Sequence, residues 1–202
     1  MSDGYKTIAQ PSQGLYKAKM SKFISFAVPV GNEDEARSVI KQYQNKYHDA
    51  RHCCWAYMLG PDYDRFLCND NGEPSGTAGR PILGQIRSFG LTNVLVCVVR
   101  YFGGIKLGTP GLIEAYKSAA ADALTNATII DCREKRQVTI VFPYLSMQGV
   151  MKVIKGSDVR IVSQDFDNQC NITLECNLDD LAAVSGLLAK VDGCKVNSGQ
   201  QT

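Results

Sequence analysis

"NVLVCVVRYFGGIKLGTPGLIEAY", Asn93 to Tyr116, passes from an unbroken apolar run through a glycine-rich turn into a segment with helical spacing. An apolar run such as Val94–Val99 is expected of a strand covered on both faces. Thr109 then predicts a helix N-cap, with Pro110 at the first helical position, where a missing N–H costs nothing. Leu112, Ile113, Tyr116, Ala119, Ala120, Ala123 and Leu124 recur at the spacing of one helix face. The fold class is therefore mixed, with helices packed on strands.

Working outward, "KFISFAVPV" (Lys22–Val30) reads as a strand. Asn32 caps a helix whose first turn holds Glu33, Asp34 and Glu35, acids that suit the positive end of its dipole. "CCWAYML" and "DRFLC" read as further strands. Pro81, Leu83, Ile86 and Phe89 predict a helix stopped by Gly90. From Lys135 the pattern restarts as strand "QVTIVF", helix Ser146–Lys155, strand Val159–Asp165, strand Cys170–Cys176, helix Asp179–Lys190 and a last short strand. That β-α-β-β-α-β order is the split βαβ of a ferredoxin-like domain. Two domains are expected, 1–131 and 136–202.

The 202 residues, 45% hydrophobic and 21% charged, have ordinary globular composition, and the formal net charge is only +2. Residues 1–133 hold 15 Lys and Arg against 12 Asp and Glu, whereas 134–202 hold 7 against 8. Between Ser75 and Ser118 five basic residues, Arg80, Arg87, Arg100, Lys106 and Lys117, face one acid, Glu114. A nucleic-acid surface would have to be that local patch. "MSDGYKTIAQ" lacks the apolar core of a leader, and no apolar run is long enough to span a membrane. A cytoplasmic protein with no membrane partner is expected, its eight cysteines reduced thiols, several of them buried.

"NDNGEPSGTAGRP" (Asn69–Pro81) gathers turn formers around Asp70, Glu73 and Arg80. Asp70-Asn71-Gly72 is a turn, Gly76 and Gly79 permit close backbone approach, and Thr77 or a neighbour can cap the following helix. Arg80 at a helix start needs a counter-charge, from Asp70, from Glu73 or from a bound anion. "GGIKLGTPG" has the glycine spacing of a phosphate loop, but Thr109 stands where the lysine of a Walker motif belongs. Nucleotide hydrolysis is thereby disfavoured. Anion binding at a helix N-terminus survives, with Lys106 and Arg100 adding charge, against the alternative of a tight turn with solvated cations. "HDARH" (His48–His52) resembles zincin spacing poorly, having Asp49 for the glutamate and no third ligand. Cys53 and Cys54, adjacent in a strand, face opposite ways and do not share a metal. No metal and no cofactor are expected. A hydrolytic reading would combine Ser75 or a cysteine with His52 and Asp70, but Ser75 lacks the G-x-S-x-G elbow.

"NDNGEPSGTAGRPIL" followed by "VVRYFGGIKLGTPGLIEAY" resembles the signature of the YigZ/IMPACT family. "KMSKFI" resembles its K-x-S-R-F-I opening, and "RHCCWAY" its T-H-N-C-W-A-Y segment. The resemblance is close from Tyr16 to Leu124 and looser to Lys195. Arg51, Cys53 and Pro110 depart from the family's threonine, asparagine and glycine. The resemblance implies α+β architecture: a first domain like the second domain of a small-subunit ribosomal protein, an α/β sandwich, followed by a ferredoxin-like domain. A similar pair forms the last two domains of elongation factor G. Carried over by position, the signature residues are His52, Asp70, Glu73, Ser75, Thr77, Arg80, Arg100, Tyr101, Lys106 and Thr109. The family is linked to regulation of translation and has no secure enzymatic activity. No RWD domain like that of the eukaryotic members is expected, so their binding to the activator of an initiation-factor kinase does not carry over.

The expected function is therefore binding to RNA or the ribosome in translation control. Arg80, Arg100, Lys106 and Thr109 would contact the anion, and His52, Asp70, Glu73, Ser75, Thr77 and Tyr101 would support the motif. A small-molecule hydrolase or phosphate-ester enzyme using His52, Asp70 and Ser75 is the alternative. A module that binds a protein partner in translation control is the third reading.

Overall fold

The computed structural model describes residues 4–167 and 169–198, which form a two-domain α+β protein. Contacts group Tyr5–Cys132 into one compact unit and Gly4 with the described residues from Arg133 onward into another, so that one end residue of each of the strands Gly4–Ile8 and Ile129–Arg133 falls across the division.

The first unit contains β1 (Gly4–Ile8), β2 (Ser12–Ala18), β3 (Ser21–Pro29), α1 (Glu33–Lys46), β4 (His52–Leu59) and β5 (Arg65–Asn69). It continues with α2 (Gly79–Ser88), β6 (Val94–Tyr101), α3 (Gly108–Thr125) and β7 (Ile129–Arg133). Five strands form one antiparallel sheet in the order β2-β3-β6-β4-β5, while β1 and β7 pair separately. The apolar run from Val94 lies at the centre of that sheet, and its alternation serves two cores. Val94, Val96 and Val98 pack with Ile82, Ile86, Leu112, Tyr116 and Ala120 of α2 and α3. Leu95, Cys97 and Val99 pack with Ala36 and Ile40 of α1. Cys53 lies in the α1 core and Cys54 in the α2–α3 core, as opposite faces of one strand require.

Helix ends follow local chemistry at some places and not at others. Asn32 Oδ1 accepts from the Glu35 N–H at 2.9 Å, capping α1 as its sequence predicts. The α2 end is a Schellman motif: Gly90 N–H bonds to Arg87 O and Leu91 N–H to Ile86 O, with Gly90 at φ +63°. The α3 start differs from expectation. Its helix begins at Gly108, no side chain caps it, and the Thr109 hydroxyl does not serve that purpose. Gly108 adopts φ +72°, which only glycine takes readily, and Pro110 sits within the first turn, where the helix needs no N–H from it. The β2 strand, which the sequence reading passed over, pairs along its whole length with β3.

The second unit runs β8 (Lys135–Phe142), α4 (Met147–Lys155), β9 (Val159–Asp165), β10 (Cys170–Asn177), α5 (Leu178–Leu188) and β11 (Lys195–Ser198). Strand order β11-β8-β10-β9, all neighbours antiparallel, is the ferredoxin-like arrangement. One face of this sheet is covered: Val138, Ile140, Phe142, Ile172 and Leu174 pack against Val150 and Ile154 of α4 and Val184 and Leu188 of α5. The other face is polar, and Glu175 lies within 3.5 Å of both Lys135 and Arg160 there.

Residue 134 alone separates β7 from β8. Fragments 1–133 and 134–202, expressed apart, are each expected to give a dispersed amide NMR spectrum, because each keeps its own sheet and core. A collapsed spectrum for the longer fragment would show that it depends on the rest of the chain.

Candidate functional site

Alternation along β6 fixes the position of the first site residue. Arg100 lies two residues after Val98 and so belongs to the face that packs under α2 and α3. It is only 6% exposed. Register then aligns three strands, with Phe23 of β3 and His52 of β4 both opposite Arg100. A guanidinium at such a place requires a partner, because isolated buried charge is prohibitively costly.

Glu73 is that partner. Its Oε1 lies 2.6 Å from Arg100 Nη1 and also accepts from the Tyr116 hydroxyl at 2.8 Å. The loop that delivers it is a tight turn in which Glu73 N–H bonds to Asp70 O, with Asn71 and Gly72 at φ +41° and +84°. Those are the angles of a type I′ turn, which Asn-Gly accommodates at low cost. Asn71 O sits 2.8 Å from His52 Nδ1, and since a carbonyl only accepts, that nitrogen carries the hydrogen. His52 Nε2 is left facing Glu73 Oε1 at 3.9 Å. The Cys54 thiol lies 3.3 Å from the Tyr116 hydroxyl and donates to Asp70 O at 2.9 Å. Burial pushes the Cys54 thiol well up, and burial with neighbouring negative groups does the same to Tyr116. Both stay protonated at neutral pH, so neither is an activated nucleophile.

Asp70 has a separate structural task. Its Oδ1 accepts from the Ala78 and Gly79 N–H groups at 2.9 and 2.8 Å, and its Oδ2 from Gly76 N–H at 2.8 Å. It thus caps α2 from eight residues away in sequence. Of the two expected sources of a cap, Thr77 or a neighbour, Thr77 is not the one, since its hydroxyl donates to Pro74 O. Desolvation raises the Asp70 pKa, but the three N–H bonds outweigh it and hold the carboxyl below its usual range. Gly79 is required because a Cβ there would stand 2.8 Å from the Asn69 backbone nitrogen. Gly76 is required for φ +77° rather than for close approach.

These groups border a cavity of about 520 Å³. Its buried floor holds Arg100, Glu73 and Leu112, with His52 beside them. Arg51, Lys106, Gly108 and Thr109 stand around it, exposed, with the uncapped start of α3. Pro74, Phe102 and Leu107 supply apolar wall. Of the residues singled out from the sequence, the fold brings His52, Glu73, Arg100, Lys106 and Thr109 together here. Asp70, Ser75, Thr77, Arg80 and Tyr101 do not line it. Tyr101 donates instead to Asp49 at 2.9 Å, and Ser75 and Arg80 are exposed. Arg100 is corrected from an open surface cation to one neutralised by Glu73. The hydrolytic grouping is not assembled, since the Asp70 oxygens face α2 and a main-chain carbonyl orients His52. Arg51, Phe102 and the Cys54–Tyr116 pair were missed as site residues. Only Tyr116 left a trace, lying seven residues after Thr109 and therefore on the same helix face. Among the described residues no group of three His, Cys, Asp or Glu side chains could hold a metal.

A two-domain α+β chain with this ion-paired cavity in its first domain has recognisable relatives. The chain belongs to the IMPACT family: residues 19–124 match the Impact N-terminal domain. It is 32% identical over 160 residues to the IMPACT family member YigZ of Escherichia coli, with 78% of each chain covered. With an IMPACT family member of Thermus thermophilus it shares 46% of 107 residues, covering 53% of this chain and 56% of that one. A crystal structure of a hypothetical protein, 27% identical, superposes over the whole of both chains at a TM-score of 0.78.

Glu73→Gln is expected to destabilise the first domain by about 3 kcal/mol, because it leaves the Arg100 charge buried without its counter-ion. Urea denaturation of the purified protein reads this directly, and an unchanged midpoint would contradict it. Asp70 makes a pH-dependent contribution of opposite visibility. With its folded pKa depressed, its stabilisation is present above the ordinary carboxylate range and disappears as pH falls through the folded value. Asp70→Asn should therefore cost about 1 kcal/mol at pH 7 and, in urea denaturation at a series of acid pH values, flatten the loss of stability below the ordinary carboxylate range.

Proposed function

We propose that this chain is an RNA- or ribosome-binding protein that acts in translation control, and that the cavity of the first domain is its contact site. The observation that carries this reading is the meeting of Arg51 and Lys106, both exposed, at an uncapped helix start with no acid in its first turn. Backbone N–H groups at such an end favour anions, and the two cations add charge that is not internally paired among the described residues. Membership of the IMPACT family is consistent with a role connected to translation. No helix among the described residues is long and apolar enough to cross a membrane.

The second domain adds little charge to this reading. Its open sheet face presents Lys135 and Arg160, but Glu175 lies between them. Arg80 is exposed at the start of α2, outside the cavity, and would serve only a ligand extending beyond it.

Single-stranded RNA binding by the intact protein should weaken with salt at a log–log slope of about −0.7 per phosphate neutralised. Three contacts give a slope near about −2, and Lys106→Glu should make it shallower while leaving stability nearly unchanged. Arg100 is unsuitable as a probe, since its loss would strand Glu73. Binding by Lys106→Glu and Arg51→Glu that matches the parent protein at every salt concentration would remove the RNA reading.

A further inference from the structure

The Arg100 guanidinium is unusual in being buried and underused. Its side chain is 7% exposed and lines the cavity, yet Glu73 engages only Nη1. Nε is buried with no hydrogen-bond partner among the described residues. Five N–H donors on a fixed planar fork are ordinarily matched when buried, because an unmade bond to a charged group is costly. Glu73 is similarly one-sided, since every protein donor it receives arrives at Oε1. Above this pair, Phe102 stands 42% exposed on the cavity wall with its ring 5.4 Å from the guanidinium.

We propose that the cavity takes the phosphate and base of a single nucleotide, with a terminal 5′-phosphate directed at Arg51, Lys106 and the start of α3. The inference deepens the RNA-binding reading above and rests on it. The volume of about 520 Å³ lies in the range of small-ligand pockets. The floor is formed by buried Arg100 and Leu112 and the buried side chain of Glu73. A strand passing through needs an open groove, whereas a chain end can enter a pocket with a floor. Two cations unpaired among the described residues, together with a helix dipole, suit a phosphomonoester dianion better than a backbone phosphodiester with one charge. Phe102 offers a stacking surface, which every base can use. The Glu73 oxygen without a protein donor is an acceptor suited to a ribose hydroxyl. Both a free nucleotide and the 5′ end of an RNA carry this chemistry.

Amide NMR titrations of the intact protein with adenosine 5′-monophosphate, adenosine and inorganic phosphate test the pocket. A short single-stranded RNA, made once with a 5′-phosphate and once with a 5′-hydroxyl, distinguishes the two sources. The expected result is saturable shifts at Gly108 and Thr109 with the monophosphate. Adenosine and inorganic phosphate should each bind at least about tenfold more weakly, the equivalent of one lost charge-assisted hydrogen bond. Lys106→Ala, an exposed substitution, should weaken the monophosphate by a similar factor. The 5′-phosphorylated RNA should bind better than its 5′-hydroxyl twin. Monophosphate binding with no RNA binding supports the pocket with a free nucleotide as its source, and overturns the RNA reading. Equal binding of the two RNAs without monophosphate binding overturns the pocket and leaves the RNA reading standing. Equal affinity for the monophosphate and inorganic phosphate also overturns it, because the nucleoside is then not recognised.

Discussion

One buried ion pair organises the first domain. Arg100 stands where the sheet's alternation would otherwise place another valine, and Glu73 arrives from a loop 27 residues earlier to meet it at 2.6 Å. Such a pair brings little net stability compared with an apolar replacement, but losing one member is severe. Its value is positional. Because Glu73 must reach Arg100, the Asn71-Gly72 turn has to point it inward, and that same turn supplies the carbonyl that orients His52. Tyr116 must also approach the carboxylate, which fixes the rotation of α3 and brings its uncapped start to the cavity.

The Asn69–Pro81 stretch of small and charged residues thus divides into two devices with separate tasks. Asp70 is spent on three backbone N–H groups and anchors the start of α2. Glu73 is spent on Arg100, Tyr116 and the approach of His52. Asp70 is turned away from the cavity by its three N–H bonds, and Tyr116 and Cys54 stay protonated beside Glu73. Among the described residues the charge left without a counter-ion at the cavity is positive, on Arg51 and Lys106. That surplus gives the cavity its chemical character.

The second domain shows the opposite economy. Its helices cover one face of the sheet with aliphatic side chains, and on the polar face Glu175 lies within 3.5 Å of both Lys135 and Arg160. Local matching of this kind leaves no concentrated field. The contrast between the two domains follows the charge distribution along the chain, which is basic before residue 134 and slightly acidic after it.

Periodicity and turn chemistry alone determined most of the architecture. The apolar run of β6, the Asn32 cap, the Gly90 stop and the β-α-β-β-α-β restart each act over a few residues, so each is written locally. Family motifs likewise marked the loop and the turn before α3. Only the tertiary structure decided the partners. Arg100 reads in sequence as one more cation of a basic run, yet strand register places it beneath α3, where it must be neutralised. Thr77 or a neighbour reads as the α2 cap, but the Asp70 carboxylate takes the N–H groups of Ala78 and Gly79 on its Oδ1. Arg51, Phe102 and Tyr116 became site residues only once three strands and a helix end converged. Hydrogen-bond and ion-pair choices depend on distances between segments far apart in the chain, and a one-dimensional pattern does not contain those distances.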